Sequence, residues 1–243
     1  MHLDELTGPQ DIKGLSQEEL KELAAEIRRE IINTVAHRGG HLASNLGTVE
    51  LTLAMHRVFN VPEDQIVFDV GHQSYVHKLL TGRYQVFHTL RSFGGISGFP
   101  KRCESPCDAF ETGHATTAIS AALGLARARN FQGKHNHVVA LVGDGALTGG
   151  MCYEALNDAG NSKTKLILIL NDNEMSIAPN VGALSQHLTN LRVSKGWAST
   201  KKVVEKGLGR IPVIGAPLRR AVLWMKNAVK SIFVDEGFFE SLG

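Results

Sequence analysis

Two neighbouring stretches decide the fold: HVVALVGDGALTG at residues 137–149 and KLILILNDN at residues 165–173. Each contains a continuous apolar run of strand length without polar alternation, which is typical of parallel strands covered on both faces. A helical pattern from Leu147 to Ala159 lies between the two runs. Strand, helix and strand in this order predict an α/β fold, in which a parallel sheet carries helices on both faces.

The residues before these strands continue the same alternation of helix and strand. Ser16 and Glu19 have the spacing of a capping box, which marks the start of a helix. The dense glycines between Gly94 and Gly98 indicate a loop. The predicted elements are a helix over 16–36 that ends at the glycines 39–40, a helix over 46–59, a buried strand over 65–70, and a helix that begins at 114 and runs to 129.

The composition is that of an ordinary globular protein. Of 243 residues, 43% are hydrophobic and 21% are charged, which excludes a disordered chain, a collagen and a disulfide scaffold. The three cysteines have no CxxC spacing, which indicates a reducing compartment. The first twenty residues lack the basic and apolar regions of a signal peptide, and no run has the roughly 20 apolar residues of a membrane span. We expect a cytoplasmic protein that does not enter a membrane.

A basic segment follows the second strand. Residues 191–230 hold ten Lys or Arg and one acid, so their net charge is 10 − 1 = +9. Nucleic acid or an anionic membrane surface could bind such a segment, but it has no nucleic-acid-binding motif, and a solvated excursion is the favoured interpretation. We therefore predict an α/β domain over 1–190, a flexible basic excursion with an amphipathic helix over 191–235, and a continuation of the domain over 236–243.

The chemistry is concentrated where the two strands end, at Gly143-Asp144-Gly145 and at Asn171-Asp172-Asn173. Ligands of open parallel sheets bind beyond the carboxyl ends of the strands, so both motifs belong to one crevice. A helix start at Ala146 favours an anion such as a diphosphate. The Asp144 carboxylate would repel that anion unless a hard cation such as magnesium lay between them. An ordinary turn remains an alternative, whereas a dinucleotide fingerprint is disfavoured because its third glycine is misplaced.

Longer blocks of sequence resemble the transketolase-like thiamine diphosphate enzymes and, more narrowly, the 1-deoxy-D-xylulose-5-phosphate synthase family. The blocks run in order along the chain, which makes the resemblance specific. They are HLASNLGTVELTLAMH (41–56), DVGHQSYVHKLLTGR (69–83), GGISGFPKR (94–102), TGHATTAISAALG (112–124), LVGDGALTGGMCYEALNDAG (141–160) and NDNEMSIAPNVGALS (171–185).

The resemblance implies a role for each matching residue. Magnesium would be held by Asp144, Asn173 and the main-chain carbonyl of Met175. The cofactor would contact His72, Gly113, His114, Ala115, Gly145, Ala146 and Asn173. His41, His72 and His114 would face the reacting ring, where neutral imidazoles can move protons. Five further histidines are expected to be satisfied core residues, namely His37, His56, His77, His135 and His137.

The resemblance further implies the condensation of pyruvate with glyceraldehyde 3-phosphate, which gives 1-deoxy-D-xylulose 5-phosphate and carbon dioxide at the start of non-mevalonate isoprenoid synthesis. It implies a homodimer, with no nucleic acid or membrane partner. In this family a glutamate of a second domain contacts the cofactor, and this chain stops at Gly243 before such a domain. We therefore expect an N-terminal fragment that is inactive alone. The alternatives are a cofactor-binding module without chemistry and the N-terminal subunit of a split transketolase.

Overall fold

A computed structural model describes residues 2–171, which lie within the compact unit Met1–Ile177. The helices are α1 (Gln17–Arg38), α2 (Leu42–Leu46), α3 (Val49–Val58), α4 (Tyr75–Lys78), α5 (Ala118–Phe131) and α6 (Gly150–Ser162), and the strands are β1 (Gln65–Phe68), β2 (Val138–Gly143) and β3 (Ile167–Asn171). Short helical turns occupy Leu3–Glu5, Leu79–Arg83, Tyr84–Thr89 and Ala146–Thr148. Asn173, Met175, the predicted boundaries at 190 and 235, and the basic segment lie outside the described residues.

The three strands form one parallel sheet in the order β1-β2-β3. Gln65 pairs with Val138 at one end, and Gly143 pairs with Asn171 at the other. On one face, Ile66, Val139 and Leu141 pack with Met55 of α3. The intervening residues of each strand point to the opposite face, and α5 contacts both β1 and β2. The predicted α/β fold is confirmed.

A second core lies among the helices and turns on both sides of β1 in the sequence. The buried side chains of the first fifteen residues pack with α1, α3 and the segment around α4, and this cluster comprises Leu3, Leu6, Ile12, Leu15, Leu23, Ala24, Ile27, Ile31, Val35, Val49, Leu53, Tyr75, Val76, Leu79, Leu80, Phe87, Leu90 and Ile96. We call it the helical core. All of its members lie between residues 3 and 96.

The helix α1 begins as predicted, because Ser16 accepts the Glu19 N–H and Glu19 accepts the Ser16 N–H. The helix predicted over 46–59 is confirmed as α3, which begins three residues later, at Val49. The short helix α2 before it was not predicted, and the two are separated at Gly47-Thr48. The buried Thr48 hydroxyl contacts the carbonyls of Ser44 and Asn45, so it stabilises this break.

The helix predicted from His114 begins four residues later, at Ala118. Thr116 has φ +72°, a left-handed conformation that a helix cannot include. The prediction of satisfied core histidines is confirmed for His77, which is buried with both ring nitrogens paired. His56 is buried too, but its Nδ1 has no partner in the described range. His137 is half-buried, and the prediction is wrong for His37 and His135, which are exposed. None of the helices in the described range is both long and apolar enough to cross a membrane.

A buried ion-pair cluster, formed by Lys78, Arg83, Glu104 and Asp108, fastens the loop after the helical core. Arg83 donates to both Asp108 oxygens at 2.7 and 2.8 Å, and Lys78 donates to Glu104 at 2.5 Å. Two cations and two carboxylates give the cluster a formal charge of zero. Glu104 also accepts the Ser97 N–H, and Asp108 accepts the Lys101 N–H. The cluster therefore fixes both sides of Phe99 in this loop.

Two histidines extend this cluster into the core beside the sheet. His77 Nε2 lies 2.9 Å from Asp108 and its Nδ1 lies 2.8 Å from His56 Nε2. Burial lowers the pKa of His77, although Asp108 partly opposes the shift, and burial followed by the charge of His77 lowers the pKa of His56 well below its usual value. Both rings are therefore neutral at pH 7, so His77 donates to Asp108 and accepts from His56.

Candidate functional site

The carboxyl ends of the three strands bring together the two motifs predicted to share a crevice. Asp144 directly follows β2, and its N–H donates to the carbonyl of Asn171 at the end of β3 over 3.2 Å. Asp144 is buried, with 7% of its surface exposed. The start of GDG and the start of NDN are thus neighbours, as the parallel register requires.

Asp69 occupies the equivalent place after β1. Its carboxylate accepts the Val70 N–H at 2.7 Å and the Thr116 N–H at 2.8 and 3.0 Å. Both of these β-branched residues have left-handed φ, +60° at Val70 and +72° at Thr116, so the carboxylate stabilises two strained positions at once. Burial raises the pKa of Asp69, while these N–H groups act in the opposite direction. Asp69 therefore anchors residues 112–117 to the end of β1.

The anchored loop, residues 112–117, lies between the other predicted segments. A Cβ on Gly71 would meet the Thr112 carbonyl at 3.3 Å, so the segment that carries His72 is close to this loop. On its other side the loop touches the start of α6, where the Thr116 methyl group faces Gly149, the residue directly before the helix. Cys152 Sγ lies 3.2 Å from the Ala146 carbonyl and 3.9 Å from that of Thr116. The contacts connect the His72 segment, the loop and the start of the Ala146 turn.

Cys152 itself is not a nucleophile in this arrangement. It is fully buried, and burial together with the charge of Asp69 raises the pKa of its thiol to about 12. A thiol with such a pKa stays protonated at pH 7 and packs as a small apolar group.

Two of the three predicted site histidines are in ring contact. The centroids of His41 and His72 are 5.3 Å apart with an interplanar angle of 72°, an edge-to-face arrangement. Phe99 lies 6.2 Å from His41 on the loop held by the buried ion-pair cluster. The pair is therefore bounded by a side chain whose own backbone is fixed at Ser97 and Lys101.

The histidine pair is uncharged at neutral pH. Burial, and then the neighbouring His41, lower the pKa of His72 to about 4. Burial and the charge of Arg91 lower the pKa of His41 below its usual value. Nδ1 of His72 is buried and has no hydrogen-bond partner in the described range. A neutral imidazole can accept a proton at one nitrogen while it donates a hydrogen bond from the other.

The third predicted histidine, His114, lies on the loop of residues 112–117 with an exposed side chain. Its N–H donates to the Thr112 hydroxyl at 3.2 Å. Across residues 2–171, no ring contact joins it to His41 or His72. Gly113 and Ala115 beside it are also exposed residues, and Gly145 is exposed at the turn that precedes Ala146.

Sequence reasoning missed two buried polar residues of this region, Asn45 and Asp69. Asn45 hydrogen-bonds the carbonyls of His41 and His72, and Asp69 holds the loop of residues 112–117. The signal for Asp69 was available, because it is a carboxylate at the end of a buried strand, as Asp144 is. Nothing in the local sequence of Asn45 indicates a contact 27 residues away.

Within the described residues, no three His, Cys, Asp or Glu side chains are grouped so that they could hold a metal ion. A metal on Asp144 would accordingly need amide, carbonyl or other oxygens for its remaining ligands. The predicted partners Asn173 and Met175 offer such oxygens but lie beyond residue 171.

Comparison with known proteins gives one consistent result. A family model described as 1-deoxy-D-xylulose-5-phosphate synthase matches residues 3–243. The curated 1-deoxy-D-xylulose-5-phosphate synthase of Desulfitobacterium hafniense (strain DSM 10664 / DCB-2) is 55% identical over 241 residues, which cover 99% of this chain and 38% of that protein. The enzyme of the same name from Symbiobacterium thermophilum is 56% identical over 243 residues, which cover 100% of this chain and 38% of the relative.

Solved structures show the same fold at lower identity. A transketolase from Leishmania mexicana matches with a TM-score of 0.57 at 24% identity, covering 65% of this chain and 28% of that chain. A transketolase mutant from Pichia stipitis matches with a TM-score of 0.59 at 23% identity, covering 67% and 28%. The chain thus has a transketolase-like fold and spans 38% of the length of the two curated relatives named above.

Proposed function

Because the chain belongs to the 1-deoxy-D-xylulose-5-phosphate synthase family, we propose that it forms the diphosphate- and magnesium-binding part of a thiamine diphosphate-dependent transferase. The proposed reaction joins pyruvate and glyceraldehyde 3-phosphate, gives 1-deoxy-D-xylulose 5-phosphate with loss of carbon dioxide, and feeds isoprenoid synthesis. The observation that carries the proposal is the hydrogen bond between Asp144 and Asn171, which joins the two strand-end motifs.

The residues of the site fit such a cofactor. Two buried polar atoms in this region, Nδ1 of His72 and Nδ2 of Asn171, have no hydrogen-bond partner in the part of the chain that the structure describes. Buried polar atoms are rarely left unpaired in proteins, so a polar ligand would satisfy them. Asp144 supplies the carboxylate oxygen that magnesium prefers. The exposed backbone at Gly113 and Gly145 leaves room for a ligand to approach closely.

Each group of residues then has a defined task. Asp144, with Asn173 and the Met175 carbonyl, would hold magnesium, and Gly145 and Ala146 would bind the diphosphate through their backbone. Gly113, His114 and Ala115 would line the cofactor. When bound, thiamine diphosphate supplies the carbanion chemistry of the reaction. His41, His72 and His114 would bind the substrates and move protons, which the neutral state of the first two allows.

We propose that this chain alone does not turn over substrate. It spans 38% of the length of the two curated relatives named above. The resemblance assigns a required glutamate to a further domain of the family. We also propose a cytoplasmic protein and a homodimer for the whole enzyme, in keeping with the family. Ordinary steady-state turnover of pyruvate and glyceraldehyde 3-phosphate by the 243-residue chain would contradict the first of these proposals.

Calorimetric titration with thiamine diphosphate, with and without magnesium, tests the site. We expect saturable binding only with magnesium, and at least tenfold weaker binding for Asp144→Asn because a neutral amide attracts the cation less. The matched control is Asp158→Asn, which alters an exposed carboxylate paired with Arg127 and should leave binding unchanged. Equal binding without magnesium would contradict the metal site, and an Asp144→Asn chain that no longer folds would show that Asp144 is structural.

A further inference from the structure

Asn45 is fully buried, and its carboxamide uses every hydrogen-bonding group it has. Nδ2 donates to the His41 carbonyl at 2.6 Å and to the His72 carbonyl at 2.8 Å. Oδ1 accepts the Tyr75 N–H at 3.0 Å. Two acceptors and one donor surround the group, which fixes the orientation of the amide. One side chain therefore joins the start of α2, the turn after β1 and the first residue of α4.

The bond from Asn45 to the His72 carbonyl connects the start of α2 with the turn after β1. Among residues 2–171, no backbone–backbone hydrogen bond joins residues 40–42 to residues 71–73. The backbone of His41 itself makes a longer polar contact with this region, 3.4 Å from its N–H to the Tyr75 hydroxyl. The two Nδ2 bonds are shorter, and they act on the residues that carry the rings.

We propose that Asn45 is the positioning residue of the histidine pair: by holding both carbonyls it sets the 5.3 Å separation of the His41 and His72 rings. Asn45 acts through the two histidines and touches no reacting group itself. The proposal rests on the proposed function only for the identity of the molecule on which the pair acts.

The Asn45 amide also determines how deeply the His72 ring is buried. The Val70-Gly71 turn that leads to His72 is left-handed at both residues and is held at its start by Asp69. Asn45 holds its far end. Without the two N–H donors, the part-buried carbonyls of His41 and His72 would lose these partners and would turn toward water to replace them. The His72 ring would follow its backbone out of the site.

Nuclear magnetic resonance titration of the imidazoles tests this directly on the 243-residue chain labelled with ¹⁵N-histidine. His41→Gln and His72→Gln assign the two signals. We expect Asn45→Ala to raise the pKa of His72 by at least one unit, from about 4 toward 6.5, as the ring gains water and separates from His41. The cross-peak between the two rings should be lost. Arg91, the cation that acts on His41, is unchanged in this variant.

The matched control is Thr48→Val, since Thr48 is also fully buried and its hydroxyl contacts the carbonyls of Ser44 and Asn45 in the same turn. It should leave both titrations and the cross-peak in place. If Asn45→Ala fails to fold, Asn45→Ser, which retains one donor, is measured in the same way and should move His72 in the same direction by a smaller amount.

An unchanged pKa of His72 in the folded Asn45 variant would overturn the proposal, because the expected effect would be absent. An equal shift of that pKa in Thr48→Val would overturn it too, because the effect would then be merely structural. The titration is carried out without cofactor. Its result therefore does not depend on whether the chain binds thiamine diphosphate, and a failure of the proposed function would leave it intact.

Discussion

Asp108 allows a sharp test of how the buried ion-pair cluster stabilises the protein. Its side chain is 0% exposed, and it accepts two N–H groups of Arg83, one of His77 and the backbone N–H of Lys101. Although burial alone would raise the pKa of Asp108, the hydrogen bonds from His77 and Arg83 hold it well below its usual range. The informative substitution is Asp108→Asn, which keeps the shape of the side chain and removes its charge.

The expected loss follows from the four contacts. An asparagine has one acceptor oxygen, and its amide points donors at groups that are themselves donors. Arg83, whose side chain is 6% exposed, then keeps the neutral Thr81 hydroxyl at 2.7 Å. Its one remaining carboxylate partner among the described residues is Glu104 at 3.4 Å, through an oxygen that it shares with Lys78. Removal of one partner of a buried pair costs about 3–5 kcal/mol, because the other charge stays buried. Against a typical total of about 5–15 kcal/mol, this loss is severe.

The assay is equilibrium unfolding in guanidinium chloride at pH 7. The chain provides its own control, since Arg127 and Asp158 form a second bidentate pair at 2.8 and 2.6 Å in which the Asp158 side chain is 50% exposed. The Arg83–Asp108 and Arg127–Asp158 pairs have the same bidentate geometry but differ in burial. Asp158→Asn should therefore change the free energy of unfolding by only a small fraction of the Asp108→Asn effect. Equal losses in the two variants would refute the reasoning, and so would a fully stable Asp108→Asn.

Three further predictions concern stability and packing. Gly149→Ala should cost about 1–3 kcal/mol because its Cβ would overlap the Thr116 methyl group, and Thr116→Ser should restore part of that loss in a double-mutant unfolding cycle. Asp69→Asn should cost about 1–3 kcal/mol and speed proteolysis within residues 112–117, because one of the two oxygens that accept the Thr116 N–H is replaced; unchanged cleavage there would contradict the anchoring role. The pKa values of His56 and His77 are lowered in the fold, so the unfolded chain binds more protons than the folded chain below about pH 6.5. The free energy of unfolding should therefore fall as the pH drops from 7 to 5, by up to about 1.4 kcal/mol per pH unit for each histidine. Denaturation at three pH values should show that the free energy of unfolding of His56→Gln depends less steeply on pH.

The sequence was sufficient where local signals decide the structure. The capping box of Ser16 and Glu19 predicted the start of α1, and uninterrupted apolar runs predicted the parallel strands β2 and β3. Because parallel strands end at the same edge, the sheet also predicted that the GDG and NDN motifs would meet. Each of these inferences needs only residues that are close in the chain, or a general rule of sheets.

The sequence was insufficient where a distant side chain decides the backbone. Thr116 delays the start of α5 because its N–H binds Asp69, 47 residues earlier. No periodicity within residues 112–124 contains that contact. In the same way, the contacts of Asn45 and the buried ion-pair cluster join segments that only the folded chain brings together. The roles of His41, His72, His114 and Asp144 in catalysis and metal binding remain predictions of the sequence resemblance.

The placement of the helical core has a consequence for the order in which the chain can fold during synthesis. All members of that core are made by residue 96, whereas β1 must wait for β2, which begins at residue 138. A ribosome therefore releases a segment able to close its own helical layer while the first strand of the sheet still has no neighbour. In that interval β1 has an unpaired edge, and the emerging chain is most open to wrong association there.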